Sequence, residues 1–283
     1  MLSYQHGFHA GSFADVHKHT ALCLLIDHFL KKPAAFCFID SHAGRGPYDL
    51  TSEQAARTGE WQAGIGRLVD SRLSGPVGRV GHGLARYLDL VLGFNEEGGL
   101  KRYPGSPSIA ASLMREKDRL ILIEAHPAEH LALRAAFRGD ARVHIHKRDA
   151  FESLPALTPP PERRGLVLID PSYEVKSDYL TVPKIVGTAL RRWPAGIFAI
   201  WYPLLPDDRH LPLVEQLEGL ACPVLVAELT GPKPERGLVG TGLAVINPPW
   251  QFDGKLAEVG DEIAVYLFGD AGRHSIRASG VES

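Results

Sequence analysis

The chain has 283 residues, of which 45% are hydrophobic and 23% are charged, and this composition excludes a disordered or fibrous protein. The formal net charge of -2 excludes a strongly basic domain, so any contact with nucleic acid must come from local patches. Three scattered cysteines exclude a disulfide framework. Because the sequence has neither a signal peptide nor a run of about 18 apolar residues, we expect a cytoplasmic protein without membrane contacts.

The N-terminal stretch is rich in aromatic, histidine and lysine side chains. The spacings His6-x-x-His9 and His17-x-His19 suggest a metal ion, but no acidic or cysteine ligand stands at a convincing spacing nearby. We therefore predict no metal site, and the simplest alternative is a surface leader with solvated histidines. The apolar periodicity then predicts a helix over 15–31.

A first strand over 35–39 leads into Asp40-Ser41-His42-Ala43-Gly44-Arg45-Gly46. Glycines after a strand allow the backbone to approach a ligand closely, and an acid that binds ribose hydroxyls is expected about 20 residues further on. The next strand, over 120–123, ends in Glu124, which is much further along the chain. The spacing therefore predicts an insertion of roughly sixty residues between the two halves of this ligand site.

The insertion is predicted to span 47–103, with helices over 53–69 and 77–94 separated by a Gly-Pro break. Tyr103-Pro104-Gly105-Ser106-Pro107 returns the chain to the core. Ser106 is predicted to cap a helix that begins at Pro107 and ends near Arg115.

Three acidic residues follow three successive predicted strands. Glu124 is placed to bind a ribose. Asp149 follows a strand over 143–146 and is placed to accept a hydrogen bond from an adenine amino group. Asp170 follows a fourth strand. This order of glycine turn, ribose acid, adenine acid and catalytic segment is the one that a class I S-adenosylmethionine fold requires.

The fourth strand, an apolar run bounded by Gly165, is typical of a strand buried on both faces of a parallel sheet. It delivers Asp-Pro-Ser-Tyr, residues 170–173, to the edge of the sheet where α/β folds bind ligands. The Asp170 carboxylate and the Pro171 carbonyl can accept the two N–H groups of an exocyclic amine, and Tyr173 can stack on an extruded base. The alternative interpretation is an ordinary Asp-Pro turn.

A rival motif, Asn247-Pro248-Pro249-Trp250, fits the amino-methyltransferase pattern better than Asp-Pro-Ser-Tyr does. It follows two further strands, over 196–201 and 224–228, so we expect it toward the far edge of the sheet and predict only packing for Trp250. Asp170 is therefore preferred as the catalytic acid. Residues from about 269 to 283 are predicted to form a flexible tail on a single domain that spans 1–283.

Motifs along nearly the whole chain resemble the bacterial ribosomal RNA large subunit methyltransferase J family. They are Met-Leu-Ser-Tyr-x-His-x-Phe-His-Ala-Gly with Ala14-Asp15-Val16-x-Lys18-His19, Asp40-x-His42-Ala43-Gly44-x-Gly46, Tyr103-Pro104-Gly105-Ser106-Pro107, Glu124-x-His126-Pro127, Asp170-Pro171-x-Tyr173-Glu174 and Asn247-Pro248-Pro249-Trp250.

The resemblance implies a monomeric, Rossmann-like class I methyltransferase with a small helical insertion after the first strand. It would methylate adenine N6 in 23S ribosomal RNA with S-adenosylmethionine. Asp170 would be catalytic, together with Pro171 and Tyr173, and Tyr4, His6 and Tyr173 would contact the target nucleotide. The cofactor would be bound by Lys18, His19, His42, Gly44, Ser106, Glu124, Asp149, Ala150 and Asp170.

Two positions depart from the family pattern. Ser172 replaces a proline that would stiffen the catalytic loop, and Ala150 replaces a glycine, which matters only if the backbone there needs a positive φ. Four alternatives stay open: an amino-methyltransferase acting on DNA adenine, one acting on protein glutamine, a nicotinamide-dependent oxidoreductase, and a catalytically weakened RNA-binding homologue.

Overall fold

The computed structural model describes residues 5–74, 80–95, 99–233 and 237–280. The strands in these ranges are β1 Cys37–Asp40, β2 Pro47–Asp49, β3 Arg102–Pro104, β4 Arg119–Ile123, β5 Val143–His146, β6 Gly165–Ile169, β7 Ile197–Leu204, β8 Val224–Thr230, β9 Gly240–Ile246 and β10 Arg273–Ser279. The helices are α1 Phe13–Leu30, α2 Glu53–Thr58, α3 Arg67–Ser74, α4 His82–Gly93, α5 Ser106–Leu113, α6 Pro127–Ala136, α7 Ala150–Leu157, α8 Asp178–Arg192, α9 Leu211–Glu218 and α10 Phe252–Phe268.

The main sheet has the strand order β10-β8-β9-β7-β6-β1-β4-β5. The strands from β7 to β5 are parallel, and β9 runs antiparallel between β7 and β8. Apolar clusters cover both faces of the sheet, and all five residues of β6 are buried, as its unbroken apolar run predicts. The predicted Rossmann-like α/β fold is confirmed, and the carboxyl ends of β4, β1 and β6 lie side by side.

The insertion is closed at its base by a small antiparallel sheet, β2 and β3, which the sequence did not predict. The helix predicted over 53–69 is broken in the structure. α2 ends at Gly59, whose φ of +62° suits glycine, and a π-helical turn over Gln62–Gly66 precedes α3. The second helix begins at His82 and not at residue 77, and residues 75–79 and 96–98 lie outside the described ranges.

Ser106 is the first residue of α5 and not its cap. Gly105 occupies the cap position, and no side chain caps the helix. Pro107 is the second residue of the helix, and it has no backbone N–H to donate. This does not weaken the helix, because N–H groups in the first turn have no partner within the helix. The position leaves the Ser106 hydroxyl available to the site described below.

The Asn247 motif lies at the amino ends of the parallel strands, whereas Asp170 lies at their carboxyl ends. It was predicted toward the outermost strand of the sheet, but it follows β9, which is an inner strand. β9 is antiparallel to β7, so Ile246 pairs with Phe198 near the start of β7. The Asn247 amide donates to the Pro194 and Gly196 carbonyls, both at 2.8 Å. The predicted packing of Trp250 is wrong, because the residue is 85% exposed.

The predicted flexible tail is wrong for Arg273–Ser279, which forms β10 and pairs antiparallel with all of β8. Its residues are polar because it is an edge strand, with side chains that alternate between the protein and the solvent. Residues 281–283 lie outside the described part of the chain. None of the helices described is long and apolar enough to cross a membrane.

Helix α1 is buried on almost every side, including the charged residues Asp15 and Lys18. His17 in the same helix is buried against the ring of His274 at 5.4 Å. Among the described residues, neither ring nitrogen of His17 has a hydrogen-bond partner. Burial and the neighbouring His274 lower the pKa of His17 from 6.5 to about 3, so the folded protein holds this ring neutral.

We expect His17→Phe to reduce the acid sensitivity of the fold. The unfolded chain protonates His17 below about pH 6.5 while the folded chain does not, so stability is lost as the pH falls from there toward about 3. Thermal unfolding between pH 7 and pH 4.5 should show a smaller loss of Tm in this variant than in the wild type. Exposed His82 provides the control, because His82→Gln should leave the pH profile unchanged. Equal profiles for His17→Phe and the wild type would contradict the assignment.

Candidate active site

A cavity of about 340 Å³ opens at the carboxyl ends of β6, β1 and β4. Its walls come from the turn after β1, the starts of α5 and α7, the loop after β6, helix α1 and the insertion strand β2. Most of its accessible lining is apolar, with acidic and histidine side chains at separate points. This combination is typical of small-molecule sites in open α/β sheets.

The glycine turn after β1 is fixed by Glu124 at the end of β4. The backbone N–H groups of Gly44 and His126 donate to the two carboxylate oxygens of Glu124 at 2.8 and 2.7 Å. Gly44 has a φ of +61°, and a β-carbon there would lie 2.2 Å from the Tyr48 hydroxyl, so glycine is required. Burial raises the pKa of Glu124, although both N–H contacts oppose this shift.

A second acidic region is formed by the starts of α7 and α8. Asp149 caps α7 by accepting from the N–H groups of Phe151 and Glu152 at 2.8 and 3.1 Å. Asp178 lies on the same cavity wall, where burial and the Asp149 charge raise its pKa. Ala150 is the first residue of α7, so its backbone is helical and needs no glycine.

The turn residue His42 separates these two acidic regions. Its Nδ1 lies 2.8 Å from the Ser41 hydroxyl, and its ring meets Phe151 edge to face at 5.6 Å. Burial lowers the pKa of His42 to about 4, although the Asp170 and Asp149 charges oppose the shift. His42 is therefore neutral at physiological pH and can offer a hydrogen bond without adding charge.

Lys18 connects helix α1 to the loop after β6. Its ammonium contacts Asp170 and lies 2.9 Å from Asp15, one helical turn earlier in α1. Burial alone would lower the pKa of Lys18, but the two carboxylates raise it. Burial would likewise raise the pKa of Asp15, but the charges of His6 and Lys18 hold it well below its usual range. Lys18 and Asp15 are therefore both ionised, and the Lys18 ammonium holds Asp170 in one orientation at the cavity wall.

Two histidines that line the cavity are held by other parts of the chain. His6 Nε2 lies 2.8 Å from Asp15, and its ring meets Tyr48 of the insertion at 5.2 Å. His19 Nδ1 lies 2.7 Å from the hydroxyl of Tyr103, whose oxygen is 2.9 Å from that of Tyr87. Burial lowers the pKa of His19 to about 3, so this ring is neutral.

Asp40, the last residue of β1, is fully buried behind the cavity. Its Oδ2 has no hydrogen-bond partner within the described ranges, whereas its Oδ1 accepts from the His42 N–H at 3.2 Å. Burial and the nearby Asp170 raise its pKa to about 7, although the Ser106 side chain and the His42 N–H oppose this shift.

The loop after β6 presents Pro171 and Ser172 to the cavity, but not Tyr173. Tyr173 is 4% exposed and donates its hydroxyl to the Trp201 carbonyl at 2.8 Å. Its ring packs against Tyr179 and Trp201 at 4.6 and 6.1 Å. With a φ of +54°, its backbone turns the ring toward the core. In this conformation Tyr173 offers no face to a base.

The structure brings most of the predicted site residues to one cavity, and Tyr4 lies outside the described residues. Sequence reasoning missed Tyr48, Glu129, Phe151 and Asp178, which also line the cavity, and the role of Asp15. The spacing of three residues between Asp15 and Lys18 on one helix is a signal that could have indicated their pairing. The predicted residues on the cavity wall are His6, Lys18, His19, His42, Gly44, Ser106, Glu124, Asp149, Ala150, Asp170 and Pro171.

Comparisons with known proteins identify the family of this chain. A family model described as "Ribosomal RNA large subunit methyltransferase D, RlmJ" matches residues 33–278. The chain is 41% identical over 262 residues to the ribosomal RNA large subunit methyltransferase J of Escherichia coli (strain K12), covering 92% of this chain and 91% of the relative. It is 38% identical over 263 residues to the enzyme of the same name from Haemophilus influenzae, covering 92% of each.

A solved structure is similar along almost the whole chain. The crystal structure of protein LPL1258 from Legionella pneumophila has a TM-score of 0.88 and 31% sequence identity, covering 96% of this chain and 98% of that one. The chain therefore belongs to the RlmJ family of ribosomal RNA large subunit methyltransferases, and it has the class I fold and the S-adenosylmethionine cofactor predicted from its sequence.

Proposed function

We propose that the protein transfers a methyl group from S-adenosylmethionine to N6 of an adenine in 23S ribosomal RNA. The observation that carries this proposal is the fixed Asp170 carboxylate, held by buried Lys18 beside Pro171 at the carboxyl end of β6. We also propose that it acts in the cytoplasm as a monomer and without a metal ion. Within the described ranges, no three His, Cys, Asp or Glu side chains are grouped so that they could hold a metal.

The residues present fit the cofactor in the order that the sequence predicts. Glu124, fixed by two backbone N–H groups, keeps lone pairs for two ribose hydroxyls. Asp149 keeps one carboxylate oxygen for an adenine amino group, and Ser106, His19 and His42 line the remaining wall. When bound, S-adenosylmethionine supplies an electrophilic methyl group on a positively charged sulfur.

Asp170 and Pro171 prepare the target amine for this methyl group. The nitrogen lone pair of adenine N6 is delocalised into the ring, so the amine is a poor nucleophile. Two acceptors, the Asp170 carboxylate and the Pro171 carbonyl, hold its N–H groups and favour a more tetrahedral nitrogen. Lys18 holds the Asp170 carboxylate in one orientation, and such fixed acceptors need no reorganisation during the reaction.

In this conformation, the rings that can contact an extruded base lie on the side of the cavity formed by the N-terminal segment and strand β2. His6 and Tyr48 present rings there, and Tyr4 precedes His6 by two residues. The stacking role predicted for Tyr173 requires its ring to leave its packing with Tyr179 and Trp201. We therefore propose that Tyr4 and His6 contact the target adenine, and that Tyr173 supports the Pro171 carbonyl from behind.

The proposal is tested by incubating the protein with methyl-labelled S-adenosylmethionine and unmodified 23S ribosomal RNA transcript in the presence of EDTA, followed by digestion to nucleosides. We expect label in N6-methyladenosine. DNA and a glutamine-containing protein extract serve as alternative acceptors in parallel reactions. Label only in DNA or in protein would replace the RNA substrate, and label that appears only without EDTA would overturn the metal-free mechanism.

We expect Glu124→Gln to weaken S-adenosylmethionine binding about tenfold or more. The glutamine NH₂ group would face the backbone N–H of either Gly44 or His126, so residue 124 loses one of its two anchors and the ribose loses an acceptor. Hydrogen bonds to charged groups contribute about 1.5–3 kcal/mol, and 1.4 kcal/mol corresponds to about tenfold in Kd. Isothermal titration measures this change. Glu152→Gln, an exposed change on α7, is the control, and equal Kd values for the two variants would contradict the assignment.

A further inference from the structure

The N-terminal segment, residues 5–9, lies against helix α2 of the insertion. This segment carries His6 to the cavity wall, where His6 Nε2 is 2.8 Å from Asp15. α2 is only six residues long and has no direct contact with the cavity. α2 can therefore influence methyl transfer only through the N-terminal segment that it contacts.

Polar contacts join α2 and the residues just after it to the segment at three points. The Gln54 amide donates to the side-chain oxygen of Gln5. The Thr58 hydroxyl donates to the Phe8 carbonyl. Beyond the end of α2, Glu60 Oε1 lies 2.9 Å from His9 Nδ1. The contacts therefore reach the segment on both sides of His6.

Packing supports the same arrangement. The Arg57 guanidinium lies 5.9 Å from the centre of the Phe8 ring. Gly7 is buried, and a β-carbon at this position would come within 2.4 Å of Gln54 Oε1. The backbone of the segment thus lies directly on the side of α2, and the depth at which His6 enters the cavity depends on where α2 stands.

α2 is itself tied to the floor of the site. The β2–β3 pair at the base of the insertion places Tyr48 opposite Tyr103. Tyr48 meets the His6 ring, and Tyr103 is hydrogen-bonded to His19. The base of the insertion, formed by β2 and β3, therefore contacts the two cavity histidines His6 and His19. The same insertion holds the N-terminal segment through α2.

We propose that Gln54, Thr58 and Glu60 are positioning residues for methyl transfer, which hold segment 5–9 so that His6 meets the target nucleotide. This inference rests on the proposed function for its kinetic consequence only. It assigns to the helical insertion the task of fixing the substrate side of the cavity. On the cofactor side, the described hydrogen bonds of Glu124 and Asp149 involve none of these three residues.

The first test compares two changes at Thr58. Thr58→Val keeps the shape and removes the hydroxyl, whereas Thr58→Ser keeps the hydroxyl. A triple variant, Gln54→Ala/Thr58→Val/Glu60→Gln, removes all three contacts. The matched control is Arg72→Ala, which removes the bonds to Asp89 and to the Ala85 carbonyl inside the insertion, whereas no hydrogen bond of the described residues joins Arg72 to segment 5–9.

In single-turnover methyl transfer to 23S ribosomal RNA with saturating S-adenosylmethionine, we expect the triple variant to be about 10- to 100-fold slower, because small misplacements of reacting groups have effects of this size. Thr58→Val should be slower than the wild type, and Thr58→Ser should restore the rate. The Kd for S-adenosylmethionine should stay within about twofold in every variant.

Hydrogen–deuterium exchange provides a readout that does not depend on activity. Backbone amides of residues 5–13 should exchange faster in the triple variant and not in Arg72→Ala. Unchanged exchange, an unchanged rate, or a parallel loss of cofactor affinity would each overturn the positioning role. A wild type that methylates no 23S ribosomal RNA would instead contradict the proposed function, and exchange alone would then decide whether α2 holds the segment.

Discussion

Asp170→Asn is expected to slow methyl transfer by at least about 100-fold, the usual effect of removing one pre-oriented hydrogen-bonding group from an active site. Lys18 requires an oxygen on its side of residue 170, so the asparagine carbonyl will face Lys18 and the NH₂ group will face the target amine. Two donors then meet where a donor and an acceptor are needed. The substrate nitrogen therefore loses the acceptor that makes it nucleophilic.

Single-turnover rates with 23S ribosomal RNA and separate titrations of S-adenosylmethionine measure this effect. Since residue 170 also lines the cofactor cavity, we expect the Kd to rise by less than the rate falls. Asn247→Ala is the matched control, because the Asn247 side chain donates only to the Pro194 and Gly196 carbonyls among the described residues. A nearly wild-type rate for Asp170→Asn together with an inactive Asn247→Ala would move the catalytic role to the rival motif.

The proposed cofactor side of the cavity could be predicted from the sequence because it depends on strands. Buried parallel strands are apolar runs, and the residue after each run necessarily stands at the ligand-binding edge of the sheet. Glu124, Asp149 and Asp170 were therefore placed correctly without any knowledge of the contacts between them. The glycine turn followed from the same logic, since glycine readily adopts a positive φ such as that of Gly44 and lets the backbone approach a ligand.

The substrate half could not be predicted in this way, because it depends on contacts between distant parts of the chain. Lys18 and Asp170 are 152 positions apart and meet only because α1 packs over the end of β6. The burial of Tyr173 depends on Trp201 and Tyr179, which belong to later elements. A tetrapeptide pattern gives the order of its side chains, but tertiary packing decides which of them faces the cavity.

The same reasoning explains why the sequence predicted neither strand β10 nor the antiparallel direction of β9. Residues 273–279 are polar and have no apolar run, so their composition favoured a tail. An edge strand needs only backbone partners on one side, and β8 supplies them. The reversed direction of β9 was likewise hidden, because strand direction is set by the path of the preceding chain and leaves no local pattern.

Lys18→Met is expected to reduce both stability and activity, because Lys18 serves the fold and the site together. The change leaves Asp15 buried, with its side chain 2% exposed, and without its ammonium partner. Breaking a buried ion pair by removing one partner costs about 3–5 kcal/mol. For domains of 150–250 residues each kcal/mol shifts Tm by about 2–4 °C, so a loss of roughly 10 °C is expected.

A double-mutant cycle with Asp15→Asn separates the ion pair from the loss of packing. Asp15→Asn alone should destabilise the protein, since it removes the charge that Lys18 needs. In the Lys18→Met background the same change removes a buried charge that keeps only the His6 ring and the Gly11 N–H as partners, so it should cost much less or restore part of the lost Tm. Strictly additive effects on Tm would show that the two charges are not coupled. Methyl transfer should remain low in the double variant, because Asp170 still lacks the ammonium that orients it.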